Sequence, residues 1–275
     1  MRMGQTLKSL IGTSIGATLL LAATAIPGYA TPITLTGSGT DGRQASVTFD
    51  NVVVSGTHYL QVTLSNTATY DSRTPTDILT AVFFNIEGSN PTLTRFSATL
   101  APGSTVKDIN PDPTILGGEW AYKAGLNVGG EYTRGISSSG LGLFGSGERF
   151  PGPNLQGPVE PDGIQYGITT LNDPDDTGSG NDNGGILGKQ MARNSVVFLL
   201  GGIDASFDPY AAIYEVRFQY GTSLTEPYFE SDYRGNLTTT RVPEPSSLAL
   251  LGFGALGAAL VGYRRTVLSM VRSRR

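Results

Sequence analysis

Asp173, Asp175 and Thr177 alternate along a polar stretch that continues Gly178-Ser179-Gly180-Asn181-Asp182. Two chemistries suggest themselves there. Asp176-Thr177-Gly178-Ser179 spells the active-site tetrad of aspartic proteases, which need two carboxylates sharing one proton on apolar strands. This tetrad sits in a polar loop without a second copy, so proteolysis is not expected. Calcium binding needs hard oxygens converging on one ion, and Asp173, Asp175 and Thr177 followed by Gly178 match the first half of a calcium loop. The bidentate Glu of such loops is replaced by Gly184. Asp173, Asp175 and Thr177 are therefore a candidate calcium loop, with a solvated acidic turn as the competing reading, and no other cofactor is expected.

The remaining titratable residues offer little for catalysis. His58 is the sole histidine, no G-x-S-x-G elbow accompanies it, and a one-histidine chain cannot build an H-E-x-x-H zinc site. The chain has no cysteine, which removes thiol nucleophiles, thiolate metal sites and disulfides. Glu226 with Glu230, or Glu119 with Glu131, could act as a carboxylate pair only if the fold brings them to one cleft. Trp120 and Tyr122 could stack on a sugar ring, although large aromatics between strands are usually core. No catalytic residue is assigned, and the expectation is a protein that is not an enzyme.

The elements that would carry these residues read as β. Ala45 to Phe49, Tyr59 to Leu64, Thr92 to Ser97 and Tyr214 to Tyr220 place apolar side chains on alternate residues, as strands with one wet face do. Ile78 to Ile86 and Val196 to Leu200 are continuous apolar runs and predict strands buried on both faces. Long 3.6-residue stripes are missing between Thr31 and Arg241. From Leu116 to Gly188 the chain is rich in glycine and turn signals, which predicts long loops carrying short strands such as Ile164 to Thr169. The expected fold is all-β, an antiparallel β-sandwich with jelly-roll-like connectivity, over residues 31–241.

Both ends differ from this body. Arg2 and Lys8 precede an uncharged apolar stretch from Leu10 to Ala25, and Tyr29-Ala30 follows a Pro-Gly breaker. That layout predicts a secretory signal peptide over 1–30, cut after Ala30. Between Thr31 and Pro243 there are 12 basic against 22 acidic residues, so the exported body carries a net charge near −10. Such a body repels phosphate backbones, and no nucleic-acid partner is expected.

At the other end, Pro243-Glu244-Pro245 is followed by 18 uncharged residues, Ser246 to Tyr263, and then by Arg264-Arg265. As a helix the run would be about 27 Å long, enough for one transmembrane span in the precursor. The arginines would stay cytoplasmic and leave the body outside. The order of tripeptide, apolar run and basic stop over 242–275 resembles the PEP-CTERM sorting signal of exosortase-dependent surface proteins in Gram-negative bacteria. The resemblance implies an exosortase-type processing enzyme that reads Pro243, Glu244 and Pro245. It also implies an inner-membrane intermediate, delivery to the cell surface or extracellular matrix, and association with exopolysaccharide and biofilm. A secreted carbohydrate-binding or carbohydrate-active sandwich, and a permanently anchored surface protein, remain the alternatives.

Overall fold

The computed structural model describes residues 30–88, 90–107, 111–154, 161, 163–174 and 185–232. In chain order the strands are β1 (Ile33–Ser38), β2 (Gln44–Val54), β3 (Thr57–Asn66), β4 (Leu79–Ile86), β5 (Thr94–Leu100), β6 (Thr105–Lys107) and β7 (Ala121–Val128). They continue as β8 (Tyr132–Ser137), β9 (Ile168–Thr169), β10 (Met191–Arg193), β11 (Ser195–Gly201), β12 (Ile213–Tyr220) and β13 (Tyr228–Asp232). Among the described residues helix is confined to single turns, including α1 (Leu116–Glu119) and α2 (Pro209–Ala212). The fold is all-β, as the alternation predicts. Among the described residues no helix is long and apolar enough to cross a membrane. The expected signal peptide up to Tyr29 and the expected C-terminal helix lie outside them.

Two sheets share the strands. One runs β1-β2-β3-β11-β5, and the other β13-β12-β4-β9-β10-β6, with β8 also paired to β4 and β7 to β8. Pairing is antiparallel except between β9 and β10. The chain opens with a meander, β1-β2-β3 within one sheet, in place of the sheet-to-sheet alternation of a jelly roll. The reason is local. Ser55 (φ 51°) and Gly56 (φ 82°) both adopt the left-handed region, which makes a two-residue hairpin turn whose twist suits the flanking strands.

Alternation in sequence becomes alternation in burial. Val47 and Phe49 of β2, and Leu60, Val62 and Leu64 of β3, point inward and are fully buried. They meet Val82 and Phe84 of β4 and Val216 and Phe218 of β12 from the opposing sheet in one core. Phe49 and Phe84 stack across the gap at 5.1 Å. Each such ring stabilises the fold by roughly 2–3 kcal/mol through burial.

The two continuous apolar runs part company. β4 is buried on both faces, because Ala81 and Phe83 enter a second core with Leu126, Val128, Tyr132 and Phe144. β11 keeps Val197 and Leu199 half-exposed on its outer side, so the expectation of two buried faces fails there. No element covers that face of the first sheet among the described residues.

The glycine-rich middle also departs from the loop reading. It contains the β7–β8 hairpin, with Gly129 and Gly130 supplying the positive-φ turn. Gly135 is required by packing: a Cβ there would sit 2.6 Å from the Phe83 ring. Of the predicted strand Ile164 to Thr169, only Ile168 and Thr169 pair, because Gly167 N closes a turn onto Ile164 O at 2.8 Å.

Candidate functional site

Asp173 is the one member of the candidate calcium loop within the described residues; Asp175 and Thr177 lie outside them. Its carboxylate is engaged by protein. Oδ2 accepts from Lys107 Nζ at 2.9 Å and Oδ1 accepts from Ser72 N at 2.9 Å. Lys107 at the end of β6 and Asp173 after β9 are 1% and 2% exposed. The pair thus ties two loop-bearing strands together inside the protein, and this carboxylate faces Lys107 rather than a solvent-filled ion cage. Among the described residues no three His, Asp or Glu side chains group as metal ligands would.

The other polar candidates separate in the same way. His58 Nδ1 hydrogen-bonds Asn51 Oδ1 at 2.7 Å, while Asn51 Nδ2 donates to the backbone oxygens of Asp204 and Phe207, so His58 helps fasten a loop to β2. Glu226 clamps its own turn by accepting from Ser223 N at 2.8 Å and from Thr222 N. Glu230 borders a surface depression with Thr36 and Gln44. Glu119 is buried, whereas Glu131 is exposed. Neither predicted carboxylate pair shares a cleft. Trp120 is fully buried, donates from its indole nitrogen to Tyr166 O at 3.0 Å and packs on Phe198 at 4.9 Å, which is core chemistry.

A cleft that the sequence does not announce lies where β4, β8 and β12 meet. It encloses ≈ 510 Å³ and is lined by Asn85, Asn90, Glu131, Thr133, Arg134 and Tyr214. Asn85 organises it. Its Nδ2 donates to Glu131 O at 3.0 Å and Glu215 Oε2 at 3.1 Å, and its Oδ1 accepts from Thr133 N at 3.0 Å and Thr133 Oγ1 at 2.9 Å. Arg134 is buried beside it and donates from Nη2 to Asn90 Oδ1 and, at 3.5 Å, to Pro91 O. Next to it, burial raises the pKa of the Tyr122 hydroxyl, while the charges of Arg134 and Arg95 pull it down. No periodicity signal marks this site, because its residues converge from four separated segments.

The same end of the sandwich gathers the start of the body and the end of β13. Thr31 N donates to Asp208 Oδ1 at 3.2 Å, and Tyr210 N donates to Thr31 O at 3.2 Å, which places the start of the body against α2. β12 leaves α2, and β13 runs back along it until Asp232 stands opposite Glu215. Ala30, the expected cleavage position, precedes this contact directly and is half-exposed. Pro243, Glu244, Pro245, Arg264 and Arg265 lie outside the described residues, beyond the exit of β13.

Comparison with known families identifies the tail. Residues 241–265 match the PEP-CTERM protein-sorting motif. No curated protein and no solved structure matches the chain.

Proposed function

We propose that this chain is an exported cell-surface or extracellular-matrix protein, delivered by an exosortase-type sorting system, whose β-sandwich is non-catalytic and associates with exopolysaccharide or biofilm. The observation that carries the reading is the sorting motif at 241–265, which implies exosortase processing, membrane association of the precursor and transport toward the cell surface. The body's geometry supports it: first and last strands leave the sandwich at one end, so an N-terminal signal peptide and a C-terminal span can occupy one membrane with the body on one side. In that scheme Pro243, Glu244 and Pro245 are the residues that the processing enzyme reads. Arg264 and Arg265 stop the apolar run on the cytoplasmic side.

Mass spectrometry of the surface-exposed protein tests the scheme. The expected product begins at Thr31 and ends near Pro243 to Pro245. Recovery of an intact C-terminus at Arg275 would instead make the protein a permanently anchored one. The polysaccharide association is tested by glycan-array binding and hydrolysis assays with the mature protein, where binding without turnover is expected.

A further inference from the structure

We propose that the cleft between β4, β8 and β12 binds a zwitterionic phospholipid headgroup, with its phosphate on the Arg134 guanidinium and its ammonium beside Glu131. The case begins with charge. Arg134 is 6% exposed, and its bonded acceptors, Asn90 Oδ1 and Pro91 O, are both neutral. Its Nε is buried and has no partner, and among the described residues no carboxylate lies within ion-pair distance of it. Beside it the buried Tyr122 hydroxyl lies close enough to feel the charge and hydrogen bonding of Arg134, a neutral partner like the others, and Arg95 donates to Tyr122 O at 3.4 Å, bringing a second positive charge close by. A buried guanidinium held by neutral acceptors alone is costly, and an oxyanion entering the cleft would offset that cost. The planar fork of arginine suits phosphate in particular.

Charge on the rim narrows the ligand. Glu131 lines the cleft and is exposed, and Glu215 Oε2 is held against its wall by Asn85. A simple anion would meet the Glu131 carboxylate on the rim. A ligand with a cation adjoining its phosphate satisfies Arg134 and Glu131 together. The net charge near −10 of the body disfavours anionic lipid, whereas a zwitterionic headgroup carries no net charge to repel. A volume of ≈ 510 Å³ accommodates such a group.

Position supplies the remaining argument, and this step rests on the sorting reading. Asn85 and Ile86 close β4, and Tyr214 opens β12, at the end of the sandwich where β13 stops at Asp232. The sorting motif begins at residue 241, so the connecting chain reaches at most about 30 Å. The cleft of the precursor is thus held on the side of the body that faces the membrane. Headgroup capture would fix the body's orientation while its tail is presented for processing.

The test uses the full chain in maltoside detergent, titrated with glycerophosphoethanolamine and followed by saturation-transfer NMR. Saturable binding is expected, weakened about tenfold or more by Arg134→Met. Glu131→Gln, a surface change that leaves folding intact, should weaken glycerophosphoethanolamine about threefold without weakening glycerol 3-phosphate. Absence of saturable binding by the unaltered chain would overturn the proposal. Equal or tighter binding of glucuronate would overturn it in favour of an acidic sugar, and equal loss of both phosphate ligands in Glu131→Gln would remove the zwitterion argument. Binding is measured on purified protein, so it stands or falls separately from tail processing in cells.

Discussion

Lys107 on the edge strand β6 and Arg134 on β8, between β4 and β7, are both buried cations of the second sheet, and they are handled in opposite ways. Lys107 meets Asp173 at 2.9 Å, with the second carboxylate oxygen occupied by Ser72 N. Arg134 meets amide and carbonyl oxygens and opens onto a cleft. The first arrangement compensates its charge inside the protein and is structural. The second leaves electrostatic demand at a surface that a ligand can reach. Burial of a charged group therefore says little about function until its counter-charge has been located.

The sharpest way to break this contrast is to remove one half of the closed pair. Asp173→Ala should cost about 3–5 kcal/mol in urea unfolding, since it takes a carboxylate away from a buried ammonium. A loss under about 1 kcal/mol would show that Lys107 reaches solvent and that the pair is not closed. Replacing both partners, Lys107→Met with Asp173→Leu, should recover most of that loss, because apolar groups of similar volume need no compensation. Should the double variant be as unstable as the single one, the pair's value lies in orienting Ser72 rather than in neutralising charge.

Arg134→Met should behave differently from either single change at the closed pair. Stability is expected to stay within about 1 kcal/mol of the parent or to rise, because an uncompensated charge is removed along with two hydrogen bonds to neutral oxygens. A loss near that of Asp173→Ala in the same unfolding measurement would erase the distinction between the two cations. The smallest effect concerns the terminus. In a chain produced to begin at Thr31 the free ammonium would face Asp208, and Asp208→Asn should cost roughly 0.2–1 kcal/mol only in that chain. An identical loss in a chain retaining residues before Thr31 would show that a free Thr31 ammonium plays no part.

Much of the sandwich was legible because burial on one face imposes a period of two on the sequence. β2 and β3 carry that period and fall where alternation predicts, whereas β12 falls where predicted but buries Arg217 and Gln219 on the face expected to be wet. β4 and β11 read alike as continuous apolar runs but differ in the fold. The difference comes from partners distant in sequence: Phe144 and Leu126 cover Phe83, whereas no comparable group covers Val197 or Leu199 among the described residues. β7 and β8 escaped notice because Gly135 and the Gly129-Gly130 turn resemble loop punctuation. At Gly135 the Phe83 ring fills the space that a side chain would occupy, and Gly129 and Gly130 take the positive φ of the hairpin turn. The acidic stretch was legible as charge. That Asp173 turns inward to Lys107, 66 residues away, was not.

Sequence by itself determined the all-β class and the tail at 241–265 that directs sorting. Both are written in local order, one as a two-residue period and the other as a linear motif, so neither needs distant residues to be recognised. Tertiary structure alone decided which buried charge is closed and which is open, where the cleft lies, and that Thr31 and the end of β13 lie at the same end of the sandwich. Those properties depend on distances between segments far apart in the chain, and strand pairing sets them only once the sheets have formed.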